Sequence, residues 1–410
     1  MYDIKKIRKD FPMLNNDVKM QDKPLVFLDN ASTTFKPQQV LDAMNEYYTT
    51  YNANSHRGDY DLCYRVDQQI EAARKKIASF INSDENEVVF TSGTTMSINL
   101  VAYGYARKYL SKGDEIVLDE AEHASNLLPW FKIVEEKGVV IKYVPLDENG
   151  AITLENLNKT LTNKTKIVAL AAVSNVLGNV IDIKEFAKLI HSCGALFMVD
   201  GAQSVPHMRT DFKDSDIDFL SFSAHKMCGP TGIGCLVGKY DLLDKMDTFI
   251  TGGGMNVEFY KDNTYIPLNP PAKFEAGTLN IAGIIGFGAA IDYLNSIGID
   301  NIHAYEKELH QYALSRFKEL EDVTIYNPHS EAGIITFNRK DVFAQDEATL
   351  LNYKGIAVRS GLHCAKILVD YLGVRGTVRM STYLYTTKEE IDYLIDTLKE
   401  GGDILDAYFN

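Results

Sequence analysis

The sequence predicts an α/β protein, a mostly parallel sheet covered by helices with a smaller α+β domain beside it. Three observations carry this. Short apolar runs alternate with amphipathic helical patterns from about residue 26 to 295. Beyond about residue 296 that alternation gives way to mixed strands and helices. A chain of 410 residues also exceeds one small domain, at roughly 100–200 residues per domain. The expected organisation is a large domain at 26–295 and a small domain formed by 1–25 with 296–410.

Taken in order, the candidate strands of the large domain are Glu87–Thr91, Glu115–Leu118, Val139–Val144, Ile167–Ala172, Leu196–Asp200, Phe219–Ser223 and Gly234–Val237. Between them lie the helical stretches Arg65–Ile81, Ser97–Leu110, Asn126–Lys137 and Ile183–His191. Strands alternating with helices are the pattern of a parallel sheet with both faces covered. In the smaller domain a helix at Asn301–Leu320 precedes strands at Val323–Tyr326 and Ile334–Phe337. A helix near Asp346–Tyr353, a strand at Ile356–Arg359 and a final helix at Lys388–Lys399 complete it.

Composition narrows the class of function. Hydrophobic residues make up 45% and charged residues 24%, ordinary for a soluble globular chain. With 42 Lys+Arg against 56 Asp+Glu, the net charge of −14 repels phosphate backbones and anionic lipid. Nucleic acid and membrane surfaces are therefore not expected partners. No apolar run reaches the roughly 18 residues of a membrane span; the longest, Ile281–Ile291, is interrupted by glycines. The opening MYDIKKIRKDF has no apolar core of a signal peptide. The five cysteines are scattered, without paired metal-ligand spacing or the density of a disulfide scaffold, so no metal site and a reducing, cytosolic compartment are expected.

In an open parallel sheet, ligands bind beyond the carboxyl ends of the strands. Four such ends carry polar residues here. VVFTSGTTMSINL (Val88–Leu100) runs strand, glycine turn, helix, so backbone N–H groups and the Thr94 and Thr95 hydroxyls can cradle a phosphate; Ser and Thr there equally serve an ordinary helix cap. LFMVDGAQS (Leu196–Ser204) puts the carboxylate of Asp200 at the rim, either to pair a ring nitrogen or simply to begin a turn. In DFLSFSAHKMCGPTGIGCLVG (Asp218–Gly238) a strand ends in Ser-Ala-His-Lys before a Gly/Pro-rich turn. A lone lysine at a strand end is usually just solvated. Here the Lys226 amine, once its pKa is depressed, can condense with an aldehyde, and Ser223 and His225 beside it can donate to phosphate. Finally, IVLDEAEHASNLLPW places His123 where an imidazole can stack on a ring and move protons, or cap a helix. One cofactor suits all four: pyridoxal 5′-phosphate (PLP), which needs an amine, an acid and a phosphate cradle.

With these motifs in place, the chain resembles fold-type I PLP enzymes of the class V aminotransferase superfamily. The segment GIAVRSGLHCAKI (Gly355–Ile367) looks like the Arg-x-Gly-His-His-Cys-Ala motif of group II cysteine desulfurases, the SufS-like and selenocysteine lyase-like enzymes. LDNAST (Leu28–Thr33), NSHRG (Asn54–Gly58), SGTT (Ser92–Thr95), FEAGT (Phe274–Thr278) and VRMST (Val378–Thr382) match in the same order over nearly the whole chain. The resemblance implies that Lys226 holds PLP as a Schiff base and relays protons, with His123 stacked on the ring, Asp200 on its nitrogen and Gln203 on its phenolic oxygen. It implies that Thr94, Thr95, Ser223 and His225 hold the phosphate, which Thr278 reaches from the other subunit of a homodimer. Arg379 would clamp the substrate carboxylate, with Asn175 and Arg359 close by. Cys364 would take the sulfur of L-cysteine as a persulfide, leaving L-alanine, with positive charge from Arg359 or His363 beside it.

The implied role is sulfur supply, as in iron–sulfur cluster assembly, through an acceptor protein of the SufE or SufU type. Three positions depart from the pattern. Leu362 replaces the first motif histidine, GGGMNVE (Gly252–Glu258) lacks the glutamate that many SufS-like members place after the glycines, and in DVFAQDEATLL (Asp341–Leu351) Phe343, Ala344 and Gln345 replace a histidine-bearing stretch of many relatives that use a zinc-containing acceptor. Alternatives are a selenocysteine lyase acting on L-selenocysteine, another class V aminotransferase or lyase in which Cys364 is idle, and a catalytically silent scaffold.

Overall fold

The computed structural model describes residues 2–55 and 58–402. His56 and Arg57 of the NSHRG motif lie outside the described residues.

The large sheet has seven strands: β1 (Val88–Thr91), β2 (Glu115–Asp119), β3 (Val140–Val144), β4 (Thr165–Ala171), β5 (Leu196–Asp200), β6 (Phe219–Ser223) and β7 (Gly234–Gly238). Their order is β1-β7-β6-β5-β4-β2-β3; β7 runs antiparallel to both neighbours and every other pair is parallel. The central strands are buried on both faces, which is why they read as apolar runs without alternation. Helices α1 (Gln38–Thr50), α2 (Asp61–Ile81), α3 (Thr94–Val101), α4 (Leu128–Lys137), α5 (Ile183–Ser192) and α6 (Ile281–Ile297) belong to the same half of the chain. Two apolar clusters divide it, one containing Ile70, Leu170 and Phe222 and the other Ile98, Ile116 and Met198.

The glycines of the Ile281–Ile291 run do not interrupt it. They let α6 pack closely: a Cβ at Gly286 would stand 2.6 Å from Pro230 and 2.8 Å from Met44, and one at Gly288 would stand 3.0 Å from Ala73. Each glycine costs a helix about 1 kcal/mol, offset here by close approach to α1 and α2. The α6 helix is buried along most of its length, and no single helix among the described residues is long and apolar enough to cross a membrane.

The second cluster of elements holds α7 (Ile299–Phe317), β8 (Val323–Ile325), β9 (Ile334–Arg339), α8 (Ala344–Tyr353), β10 (Arg359–Gly361), β11 (Thr377–Ser381) and α9 (Lys388–Glu400). The strands form an antiparallel sheet in the order β8-β9-β11-β10, over a core that includes Leu309, Phe337, Met380 and Leu394. Val26 and Leu28 join that core, whereas Phe11 packs with Tyr293 and Tyr385. The expected strand Ile356–Arg359 divides in two: Ile356–Ala357 pairs in parallel with Val26–Phe27, and the chain then changes sheets to form β10 against β11. The last three residues of the GGGMNVE segment begin a hairpin of Asn256–Phe259 with Tyr265–Pro267.

Candidate active site

The rim of the large sheet and the edge strand β10 enclose a cavity of about 190 Å³. It brings together Thr94, Thr95, His123, Asn175, Asp200, Gln203, Ser223, His225, Lys226, Arg359, Cys364 and Arg379, all singled out from sequence. Thr278 does not line it. That residue faces a separate cavity of about 310 Å³ with the exposed Phe249 and Ile250.

At one end, β1 passes through Gly93 into α3. Gly93 has φ +143°, and a Cβ there would stand 3.0 Å from Ser223 Oγ, so glycine suits both the backbone and the space. Thr94 N donates to Ser223 Oγ (2.8 Å), and Thr94 Oγ1 lies 2.9 Å from the same oxygen. Thr95 Oγ1 pairs with Ser125 Oγ at 2.8 Å. Hydroxyls and helix-start N–H groups thus converge without a fixed charge, apart from the neighbouring lysine.

Lys226 closes a short 3-10 turn after β6, Ala224–Lys226. The carbonyl of His225 accepts from Thr34 N (2.9 Å) and from the hydroxyls of Thr33 and Thr34 (3.1 Å each), so the LDNAST segment and the residue after it anchor that turn. Burial lowers the Lys226 pKa to about 8; the Asp200 carboxylate pulls it up, while Arg379 and Arg359 push it down. Asp200 ends β5, accepts from Ala202 N (2.9 Å), and has its own pKa raised by burial. Gln203 donates to the carbonyl of Ala31 at 2.7 Å, and its Oε1 is buried without a partner.

His123 follows β2. Its Nδ1 accepts from Ser125 N (3.1 Å), and burial, then Lys226 and the two arginines, brings its pKa to about 4. His225 is held at about 4 by burial and by Lys226 and Lys36. Both imidazoles are therefore neutral at physiological pH.

The nucleophile candidate sits on a tight loop after β10, with His363 at φ +50° and Cys364 at φ +57°. Backbone strain of this kind is tolerated where several bonds fix it. The carbonyl of Cys364 accepts from Ala124 N (2.7 Å), and that of His363 accepts from Asn175 Nδ2 (3.0 Å). Cys364 is exposed, and Arg359 Nη2 lies 3.5 Å from its sulfur. His363 does not supply the positive charge expected of it. Its ring is buried, Nε2 faces the Thr377 hydroxyl (2.9 Å) and carbonyl (3.0 Å), and burial holds its pKa near 3.

Arg379, buried on β11, donates to the carbonyl of Asn175 (2.8 Å), to Asp29 (3.1 Å) and to Ser32 (3.0 Å), while Arg359 reaches Ser32 at 3.1 Å. Asn175 thus ties the loop and the arginine to the cavity it lines. Asp29 and Ser32 are not singled out from sequence, although LDNAST contains both, because the arginine that Asp29 pairs with lies 350 positions away.

A lysine with lowered basicity facing a buried acid, a hydroxyl cradle and paired arginines make this a PLP-type α/β enzyme centre. The fit rests on an observation of the chain itself. The buried Gln203 Oε1 is unpartnered, and the donors divide into an uncharged hydroxyl end and a cationic end, matching a phosphate ester and a carboxylate-bearing substrate. Residues 26–394 match the family model Aminotransferase class-V. A probable cysteine desulfurase of Halalkalibacterium halodurans is 49% identical over 397 residues, 96% of this chain and 97% of that one. The cysteine desulfurase CsdA of Escherichia coli superposes with TM-score 0.91 at 35% identity over 99% of both chains, and a cysteine desulfurase of Thermococcus onnurineus with TM-score 0.91 at 37% over 97% of both. The chain belongs to the aminotransferase class-V family, in its cysteine desulfurase branch.

Proposed function

We propose that this chain is a PLP-dependent L-cysteine desulfurase that yields L-alanine and keeps the sulfur as a persulfide on Cys364. The observation that carries the reading is Cys364 on the same cavity as Lys226, its sulfur 3.5 Å from the Arg359 guanidinium. Lys226, Asp200, Gln203, His123 and the hydroxyls of Thr94, Thr95 and Ser223 would hold the cofactor, which supplies an electron sink for the carbon bearing the substrate's amino group. Arg379 receives the substrate carboxylate, geometry that suits guanidinium. The Lys226 amine accepts and returns the proton at that carbon. Cys364 gives up its proton and its thiolate attacks the substrate sulfur: the S–S bond forms, the Cβ–S bond breaks with its electron pair left on the Cβ side, and Cβ takes up one proton, equivalent to the one Cys364 lost, to become the methyl group of alanine. Arg359 faces the sulfur on which negative charge is carried.

The decisive experiment is incubation with L-cysteine, measuring alanine and a thiol-reversible gain of one sulfur atom on the peptide holding Cys364. Alanine without that gain would remove Cys364 from the mechanism. Around this core we also propose a homodimer in which Thr278 and its apolar neighbours Phe249 and Ile250 meet a second copy. Delivery to a sulfur-acceptor protein in the cytosol, for iron–sulfur cluster assembly, completes the proposal. Light scattering tests the first of these, and persulfide transfer to candidate acceptors the second.

A further inference from the structure

Directly before His123, a carboxylate is sealed inside the protein with no part in the chemistry above. Glu122 is fully buried. Its Oε1 accepts from Ala171 N (2.6 Å), the last residue of β4, which stands opposite Asp200 in the sheet register. Its Oε2 accepts from Asn126 Nδ2 (2.8 Å), and Asn126 Oδ1 accepts from Trp130 Nε1 (3.1 Å). The polarity of this chain is fixed at both ends, because a backbone amide and an indole can only donate. Both oxygens of Glu122 must therefore accept.

Three functional contacts hang on the five-residue turn that this carboxylate ties together. His123 is its second residue. Ala124 N holds the carbonyl of Cys364 at 2.7 Å. Ser125 Oγ meets Thr95 Oγ1 at 2.8 Å, at the phosphate end of the cavity. We propose that Glu122 is a positioning residue of the desulfurase reaction: it locks this turn to the sheet rim, and so sets the imidazole, the phosphate hydroxyls and the nucleophile loop in one frame. The inference rests on the desulfurase reading. Burial, followed by the nearby Asp119 carboxylate, drives the Glu122 pKa well up. A buried carboxyl in so unfavourable a place is retained for what it holds.

The test reverses the polarity of the network. In Glu122→Gln, the new amide confronts the Asn126 amide, donor against donor; flipping Asn126 merely moves the conflict to Trp130. In the double variant Glu122→Gln/Asn126→Asp, the carboxylate at position 126 accepts both from the amide at position 122 and from Trp130, and every hydrogen bond returns. Two measurements on the resting holoenzyme need no substrate: visible circular dichroism of the bound PLP, which reports how the ring sits beside His123, and the rate of iodoacetamide alkylation of Cys364. The single variant is expected to lose about half or more of the visible ellipticity, to change the alkylation rate by about threefold or more, and to lose about tenfold or more in kcat, with little change in KM; tenfold is about the loss of one hydrogen bond. The double variant is expected to recover all three to within about threefold. Single-variant signatures that stay at wild-type values, with only the melting temperature lowered, would overturn the proposal. So would a double variant that folds as wild type yet recovers nothing. A wild type that makes no alanine would instead fail the desulfurase reading, leaving the ellipticity and alkylation comparison to judge Glu122 independently.

Discussion

The amine of Lys226 is the group whose protonation most directly limits cofactor capture, and its environment sets a numerical expectation. Burial brings its pKa from 10.5 to about 8 against the pull of Asp200. At pH 7 the neutral, nucleophilic fraction is then about 9%, compared with about 0.03% for an ordinary lysine, a gain of about 300-fold. Cofactor-free protein mixed with PLP in a stopped-flow instrument should show the rate of yellow-band formation rising with pH with its midpoint near pH 8, relative to free lysine measured in parallel. Asp200→Asn removes the charge that holds the amine protonated, so its inflection moves lower still. Stability carries the same information. The folded pKa lies below the unfolded one, so between about 8 and 10.5 the unfolded chain binds more protons and stability rises with pH; below 8 the whole penalty is present. Lys226→Met should therefore stabilise the cofactor-free protein at pH 7 by about 3 kcal/mol in urea titrations, a gain that fades toward pH 10.5. A rate profile still climbing beyond pH 10, together with no stabilisation by methionine, would refute the reasoning.

Other outcomes follow from the same geometry. Arg359→Met should slow single-turnover persulfide formation on Cys364 by about 10- to 100-fold, from the loss of a charged partner at the sulfur, while leaving the cofactor absorbance in place. The buried pair of Arg74 and Glu275 is bidentate, with Nη1–Oε1 at 2.8 Å and Nη2–Oε2 at 2.9 Å; Glu275→Ala should cost about 3 kcal/mol in chemical denaturation, since it leaves a buried guanidinium with only the Val88 carbonyl and the more exposed Glu71. His123, His225 and His363 have folded pKa values of about 4, 4 and 3, below the unfolded value near 6.5. The unfolded chain thus binds more protons below pH 6.5, and urea midpoints of the cofactor-free protein should show stability falling by a few kcal/mol per pH unit between 6.5 and 4.

Much of this centre was legible because its residues lie where strands stop. Leu196–Asp200 and Phe219–Ser223 form as read from the sequence, each an apolar run closed by a polar residue that turns the chain. What escaped reading has physical causes. The strand β11 carries Arg379 at its centre, and a charge in mid-strand argues against burial unless its partners, Asp29 and the carbonyl of Asn175, are known. The α6 helix is rich in glycine, and only the closeness of Pro230 and Met44 explains why. The neutrality of His363 comes from its burial and from the nearby Arg379, neither of which a local pattern reveals.

The electrostatics of the cavity reconcile a chain of net charge −14 with an anionic cofactor and a carboxylate-bearing substrate. Fixed positive charge there comes from Arg359 and Arg379, joined by Lys226 when protonated. The three histidines that crowd them gain no proton, because burial and those same cations oppose it. Charged imidazoles would add repulsion in a space of about 190 Å³ and raise the cost of keeping Lys226 protonated or either arginine buried. Held neutral, His123 accepts from Ser125 N through Nδ1, while His363 donates from Nε2 to the Thr377 carbonyl. The cationic end is thereby left to Arg379, proposed above to receive the substrate carboxylate, and to Arg359 beside the Cys364 sulfur. Attraction for the substrate is thus local and directional, independent of a surface whose long-range field repels anions.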